Sequence, residues 1–193
     1  MTGKPARSGD VVGGVDWRCW SVILCKPDAV ERGLTDTILG RLAAPDTALI
    51  GRRDVTVEPW QIHVHYRDLL GDADWFTGRN IPAALDDLYV GKTVTVALAY
   101  GPPGIQRRLR NLLGHFDPSQ APLCTIRGAL GDDSLKAALA ENRLINNLVH
   151  TSDDDNAARR DFGTWFGANR RSLLLPPAAH LPRQATGTTR TEH

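Results

Sequence analysis

This chain of 193 residues lacks an excess of charge of one sign, paired cysteines and long apolar runs, and each absence closes off a class of function. Lys+Arg total 23 against Asp+Glu 22, a net charge of +1, so no field over the whole molecule gathers nucleic acid or an acidic membrane, and any anion site is local. The 3 cysteines, Cys19, Cys25 and Cys124, are scattered without a C-x-x-C pair. That argues against a disulfide framework and against a cysteine zinc site, and it makes a reduced, cytoplasmic setting the expectation. Nowhere do about 18 uninterrupted apolar residues occur, the length a membrane-spanning helix needs. Met1 to Asp16 is polar and glycine-rich, so neither a signal peptide nor a membrane segment is expected. No Gly-x-x-x-x-Gly-Lys run is present, which leaves a P-loop nucleotide kinase without its phosphate cradle. Internal repeats are also missing, and with them the solenoid architectures.

What is there suits one domain: 41% hydrophobic residues suffice for a single core at this length. Residues 1–16 and the Pro- and Thr-rich residues 171–193 lack apolar periodicity and read as mobile tails around a folded unit at 17–170. Trp20 to Cys25 is a short apolar run closed by Lys26-Pro27-Asp28, a buried strand ending in a turn. Leu34, Ile38, Leu39 and Leu42 recur at helical spacing up to Pro45. Strands follow at 54–58 and 92–100, with short helical pieces near 65–70 and 81–89 between them. Ile105, Leu109, Leu112 and Leu113 mark the apolar face of another helix, and Leu144 to Val149 with Asn156 to Phe166 supply a last strand and helix. The order is that of an α+β protein, a ferredoxin-like βαββαβ antiparallel sheet with helices on its face.

Two short segments concentrate the chemistry, Thr125-Ile-Arg-Gly128 and Asn147-Leu-Val-His-Thr-Ser-Asp153. An imidazole with a pKa of about 6.5 is largely neutral and nucleophilic near pH 7, and a neighbouring hydroxyl or carboxylate sets its tautomer. His150, with Ser152 and Asp153 beside it, has those parts. Arg110 on its helix and Arg127 in a Gly-flanked turn can grip one phosphate from two sides, and Lys26 adds a point charge. His65 and Tyr66, with Trp75 and Phe76 further on, offer a polar edge near a sugar and an aromatic face for a base. His63 and His65, two apart on a possible strand, lack an obvious third metal ligand. Taken singly, each of these is ordinary: a polar strand end, a solvated helix face, a turn, a core aromatic.

The order Cys25-Lys-Pro-Asp-Ala-Val-Glu-Arg-Gly-Leu34, His65-Tyr66, Leu113-Gly-His-Phe-Asp-Pro118, Thr125-Ile-Arg-Gly128, Asn147-Leu-Val-His-Thr-Ser-Asp153 closely resembles the nucleoside diphosphate kinase family over residues 20–166. The resemblance implies that ATP or another nucleoside triphosphate phosphorylates His150, which passes the phosphate to a nucleoside diphosphate in a ping-pong scheme. It further implies phosphate contacts from Lys26, Arg110 and Arg127, sugar contacts from Asn147 and Lys26, and Tyr66 on the phosphate side of His150. Ser152 joins the network around the histidine, and Asp161 stands where the family places a glutamate. Mg2+ is implied on the nucleotide phosphates, with Asp153 meeting it through water, and so is a homo-oligomer, hexamer or tetramer.

The chain departs from the family at several points. Phe116 replaces a phosphate-binding threonine, Thr151 replaces the glycine after the histidine, and the base-stacking ring falls to Trp75 or Phe76. Residues 128–143 form a longer link, in which Leu135, Ala138 and Leu139 have helical spacing. These departures keep two alternatives in view: a nucleotide-binding or assembly module without turnover, and a relative retuned to a nonstandard nucleotide.

Overall fold

The computed structural model describes residues 11–71 and 78–177. A small hairpin comes first, β1 (Val11–Val12) against β2 (Val15–Asp16). The chain continues through β3 (Trp20–Cys25), α1 (Pro27–Glu31), α2 (Thr35–Leu42), β4 (Ala48–Thr56), α3 (Pro59–His65), α4 (Arg67–Gly71) and α5 (Ile81–Tyr89). It ends with β5 (Thr93–Tyr100), α6 (Ile105–Leu113), α7 (Ile126–Leu130), α8 (Leu135–Ala140), β6 (Val149–Thr151) and α9 (Asp155–Trp165), followed by a 3-10 helix at Ala168–Leu174. One four-stranded sheet has the order β4-β5-β3-β6, and every neighbouring pair is antiparallel. With α2 and α6 as its crossover helices, this is the βαββαβ sheet that the sequence pattern predicts.

Helices cover both faces of the sheet, not one. The cause is visible in β3 and β5, which are apolar at almost every position and buried on both sides. Trp20, Val22 and Leu24 with Val94, Val96 and Leu98 pack on Ile62, Leu85, Tyr89, Phe162 and Trp165. Ile23 and Cys25 with Ala97 and Ala99 pack on Ile38, Leu42, Ile105 and Leu109. β4, an edge strand, alternates between half-buried and exposed positions instead.

Other boundaries shift for local reasons. The apolar run 144–149 is not the last strand: pairing begins at Val149 and ends at Thr151. Leu148 sits at φ +69°, and Val149 N donates to Asn147 O at 2.8 Å, a tight turn that no strand accommodates. His63 and His65 lie on a helix, not a strand, because Pro59 starts α3 and the Gln61 side chain reaches back to Glu58 N at 2.9 Å. The two histidines therefore face different surroundings. His63 is half-exposed against Asp86 at 2.9 Å, whereas His65 is 3% exposed. In the longer link, Leu135, Ala138 and Leu139 do form a helix, capped by Ser134.

Candidate active site

His150 is the middle residue of β6 and pairs with Leu24 of β3, which places it at one edge of the sheet, half-buried. The turn at Leu148 sets its direction: Leu148 N donates to Asp28 Oδ2 at 3.0 Å and Leu148 O accepts from Lys26 N at 2.8 Å. A left-handed leucine costs of order 1–3 kcal/mol, and these two bonds hold it there. Thr151 adopts an extended conformation with its side chain fully buried, so no glycine is needed at this step.

The His150 ring stands edge-on to His65, centroids 4.8 Å apart at 83°, and to Tyr66 at 5.5 Å. Tyr66 shares a 2.8 Å hydroxyl–hydroxyl bond with Tyr89, and Lys26 Nζ lies 5.6 Å from the Tyr89 ring centroid. Burial pushes the His150 imidazolium well below its ordinary 6.5, and His65, Lys26, Arg127 and Arg110 oppose the proton further. The ring is consequently neutral at pH 7, with a lone pair free to attack.

Arg127 projects from the first turn of α7, a helix that Thr125 caps through Gly128 N at 3.3 Å. It is 9% exposed and donates to three carbonyls: Gly114 O at 3.1 Å, Asn147 O at 3.2 Å and Val149 O at 2.7 Å. Gly114 is itself required, since its φ is +85° and a Cβ there would meet Thr125 Oγ1 at 2.3 Å. Lys26, 6% exposed, directly follows β3 and precedes Pro27, the first residue of α1. Burial lowers its ammonium from 10.5 to about 8 against a contrary pull from Asp28, with Arg127 adding to the drop. Burial likewise brings Arg127 down to about 10. Among the described residues neither cation makes an ion pair with a carboxylate, and a buried, unpaired charge is costly unless an anion arrives to balance it.

A cleft of about 270 Å3 opens here, lined by Arg110, Leu113, Gly114, His115, Phe116, Arg127 and His150. Among the described residues its wall carries no carboxylate, so a hard divalent ion would enter on a ligand's phosphates and not in a protein cage. Arg110 is half-exposed on α6 and forms an ion pair with the exposed Asp153, so the carboxylate considered for Mg2+ is engaged by an arginine. Phe116 is 48% exposed beside His115 and has no side-chain donor, while its carbonyl accepts from Asn147 Nδ2 at 2.8 Å. Asn147 Oδ1 is buried without a partner among the described residues.

Behind His150, Ser152 Oγ donates to Asp161 Oδ2 at 2.8 Å and accepts from Val22 N at 3.1 Å. Asp161, fully buried on α9, also takes His65 Nδ1 at 2.9 Å and Arg160 Nε at 3.3 Å. Burial pushes its carboxyl up, but His65, Ser152 and Arg160 together hold it below the ordinary 3.8. Trp165 Nε1 lies 3.2 Å from the same His65 nitrogen. A nitrogen that donates to a carboxylate cannot also accept, so the charged partner takes precedence. Trp75 and Phe76 lie outside the described residues. Tyr89 escapes sequence reasoning altogether, because one aromatic at the end of an amphipathic helix looks like core.

A two-faced α+β sheet that sets a neutral imidazole beside unpaired buried cations is the arrangement of a phosphotransferase. A family model described as nucleoside diphosphate kinase matches residues 20–170, and the chain belongs to that family. Phosphate transfer between nucleotides is its reaction. A nucleoside diphosphate kinase of Streptococcus pneumoniae is 32% identical over 152 residues, spanning 74% of this chain and 96% of its own. One of Pyrobaculum aerophilum is 28% identical over 172 residues, spanning 76% and 93%. The solved NDP kinase of Pyrobaculum aerophilum superposes with a TM-score of 0.66 at 26% identity, covering 78% of this chain and 97% of that one. In fold the chain is also like the Borrelia burgdorferi enzyme solved with vanadate and ADP, TM-score 0.70 at 24% identity, covering 78% and 88%. Among the described residues no helix is long and apolar enough to cross a membrane.

Proposed function

We propose that the protein moves the γ-phosphate of ATP or another nucleoside triphosphate onto His150 and from there onto a nucleoside diphosphate, with residues 17–170 as the catalytic unit. The observation that carries this reading is the pair Lys26 and Arg127, buried beside a neutral His150 with, among the described residues, no carboxylate in ion-pair contact and only a longer-range pull from Asp28. In the first half-reaction a ring nitrogen of His150 forms a bond to the γ-phosphorus as the bond to the β,γ-bridging oxygen breaks, and the electron pair leaves with the nucleoside diphosphate. Such a step needs alignment and charge neutralisation more than covalent chemistry. Lys26 and Arg127 supply the neutralisation from below, and Arg110 supplies it from the rim after exchanging Asp153 for phosphate. Asn147 and Lys26 meet the sugar, and Tyr66, tethered to Tyr89, walls the phosphate side. Ser152 and Asp161 hold the network behind the nucleophile.

Mg2+ would be carried on the nucleotide phosphates and would supply further charge neutralisation, with Asp153, once Arg110 has released it, reaching the ion through water. Phe116 removes a hydroxyl from the phosphate site and offers an aromatic face at the mouth of the cleft, where Trp75 and Phe76 are the other candidates for stacking a base. We assign the protein to the cytoplasm as a homo-oligomer, hexamer or tetramer, working without nucleic acid or membrane.

The test is incubation with γ-labelled ATP and magnesium, with His150→Ala in parallel. The proposal expects a label that is acid-labile, alkali-stable, missing from the variant and discharged by GDP or CDP. Nucleotide binding without any label would replace it with a binding module.

A further inference from the structure

Asp161 is one methylene shorter than glutamate, and its two oxygens are taken by Ser152, at 2.8 Å, and by His65, at 2.9 Å. No hydrogen bond joins it to His150 among the described residues. His65 fills the space between: it is 3% exposed, its Nδ1 is held by Asp161, and its Nε2 is buried without a partner among the described residues. One nitrogen of His65, one of His150 and one oxygen of Asp161 lie within 4.8 Å of one another. A buried imidazole nitrogen left unpaired beside a nucleophile is costly for structure alone, since any apolar side chain of similar shape avoids the penalty.

We propose that His65 is a positioning residue that couples Asp161 to His150, its Nε2 receiving the ring proton of His150 when the nucleophile carries the phosphoryl group. With Nδ1–H committed to the Asp161 carboxylate, Nε2 of His65 has a free lone pair. It draws the N–H of His150 to its own side and leaves the opposite His150 nitrogen, on the cleft side, as the attacking atom. Closing the remaining gap takes a turn of the His150 ring about its Cβ–Cγ bond. When the N–P bond forms, the His150 ring gains positive charge. Passing its proton to His65 leaves a neutral phosphoimidazole, and the new His65 imidazolium is balanced by Asp161. The count of protons does not change, and the proton returns when the phosphate leaves.

The inference rests on the phosphohistidine reading above, and its test separates the two. His65→Asn places an amide where Nδ1 was, so it keeps a donor for Asp161 while removing Nε2. The phosphorylation rate of His150 from ATP, read by rapid quench, is expected to fall about 10²-fold in this variant, the scale of a lost proton-transfer partner. The KM for nucleotide should stay within about threefold, because no phosphate contact is lost. If the wild type takes label and His65→Asn labels at the wild-type rate, the coupling role is overturned while the phosphohistidine stands. If the wild type takes no label, the underlying reading fails first. Should His65→Asn not fold, the tautomers in 15N-histidine wild-type protein at pH 7 decide. A hydrogen on Nδ1 of His65 and none on Nε2 supports the coupling; a hydrogen on Nε2 contradicts it.

Discussion

The cations of this protein fall into two groups that differ in one respect. On the surface, Arg108 pairs with Asp46, Arg52 with Asp36, and Arg143 with Glu141 and the less exposed Asp133. In the interior, Lys26 and Arg127 are less than a tenth exposed and meet carbonyls, a tyrosine ring and each other's field; Asp28 acts on them at longer range, but among the described residues no carboxylate forms an ion pair with either. Water screens the first group, whose pairs contribute little to stability. In the second group water does not screen the charge, and holding Lys26 buried and charged costs the folded protein stability. Arg110 stands between the two: half-exposed and paired, but at the lip of the same cleft.

Breaking the interior group should have the largest effect. Lys26→Met is expected to lower kcat/KM by about 10²–10³-fold, the scale of losing one preorganised donor to a transition-state oxygen, while raising the melting temperature of the nucleotide-free protein. The drop of the Lys26 ammonium from 10.5 to about 8 corresponds to about 3 kcal/mol spent on burying it charged. Arg127→Met should lose comparable activity but lower the melting temperature, because the carbonyls of Gly114, Asn147 and Val149 lose their donor. Steady-state kinetics with thermal unfolding separates the two.

Arg110→Ala comes next. Its guanidinium can leave Asp153 only for a better anion, so the account expects about tenfold in KM and little in kcat, read from saturation curves.

The pH dependence sharpens the contrast further. His150 has its pKa below 6.5 in the folded protein, so activity should persist below pH 6.5 and fail only when the imidazole finally charges. Stability moves with it. In acid the unfolded chain takes a proton on this histidine that the folded one refuses, so folding weakens as pH falls through about 6.5. At the other end Lys26 discharges near pH 8, and KM should rise above that value. Between pH 8 and 10.5 the unfolded chain still binds the lysine proton while the folded one does not, so this group's contribution to stability grows with pH there. Profiles of kcat/KM and of melting temperature check both limbs. The smallest effect belongs to the surface: Arg108→Ala should leave kcat/KM unchanged and shift melting least of the set, its charge being screened by solvent.

The same contrast explains how much could be read from the sequence. The order of strands and crossover helices was legible because apolar runs such as Thr93–Tyr100 and the face Ile105, Leu109, Leu113 have unmistakable periods. That both sheet faces are covered was written in the run Trp20–Cys25, apolar but for Ser21, which reads equally as any buried strand. The last strand was misplaced because hydrophobicity cannot reveal that Leu148 turns left-handed; Asp28 and Lys26, far away in sequence, hold it so. In the site, His150, Arg127 and Lys26 became visible only as a set in a fixed order. The Tyr66–Tyr89 contact depends on the end of α3 meeting α5, and the His65–Asp161 link on α3 meeting α9; contacts between elements so distant leave no local signature.

The most direct test is the melting temperature of wild type and Lys26→Met at pH 7, each with and without ADP and magnesium. Without nucleotide the account predicts a higher melting temperature for Lys26→Met than for wild type, and with ADP a large rise in wild type but little or none in the variant. A nucleotide-free variant that melts below wild type, or that ADP stabilises to the wild-type extent, would contradict the claim that this buried charge is held for the phosphate.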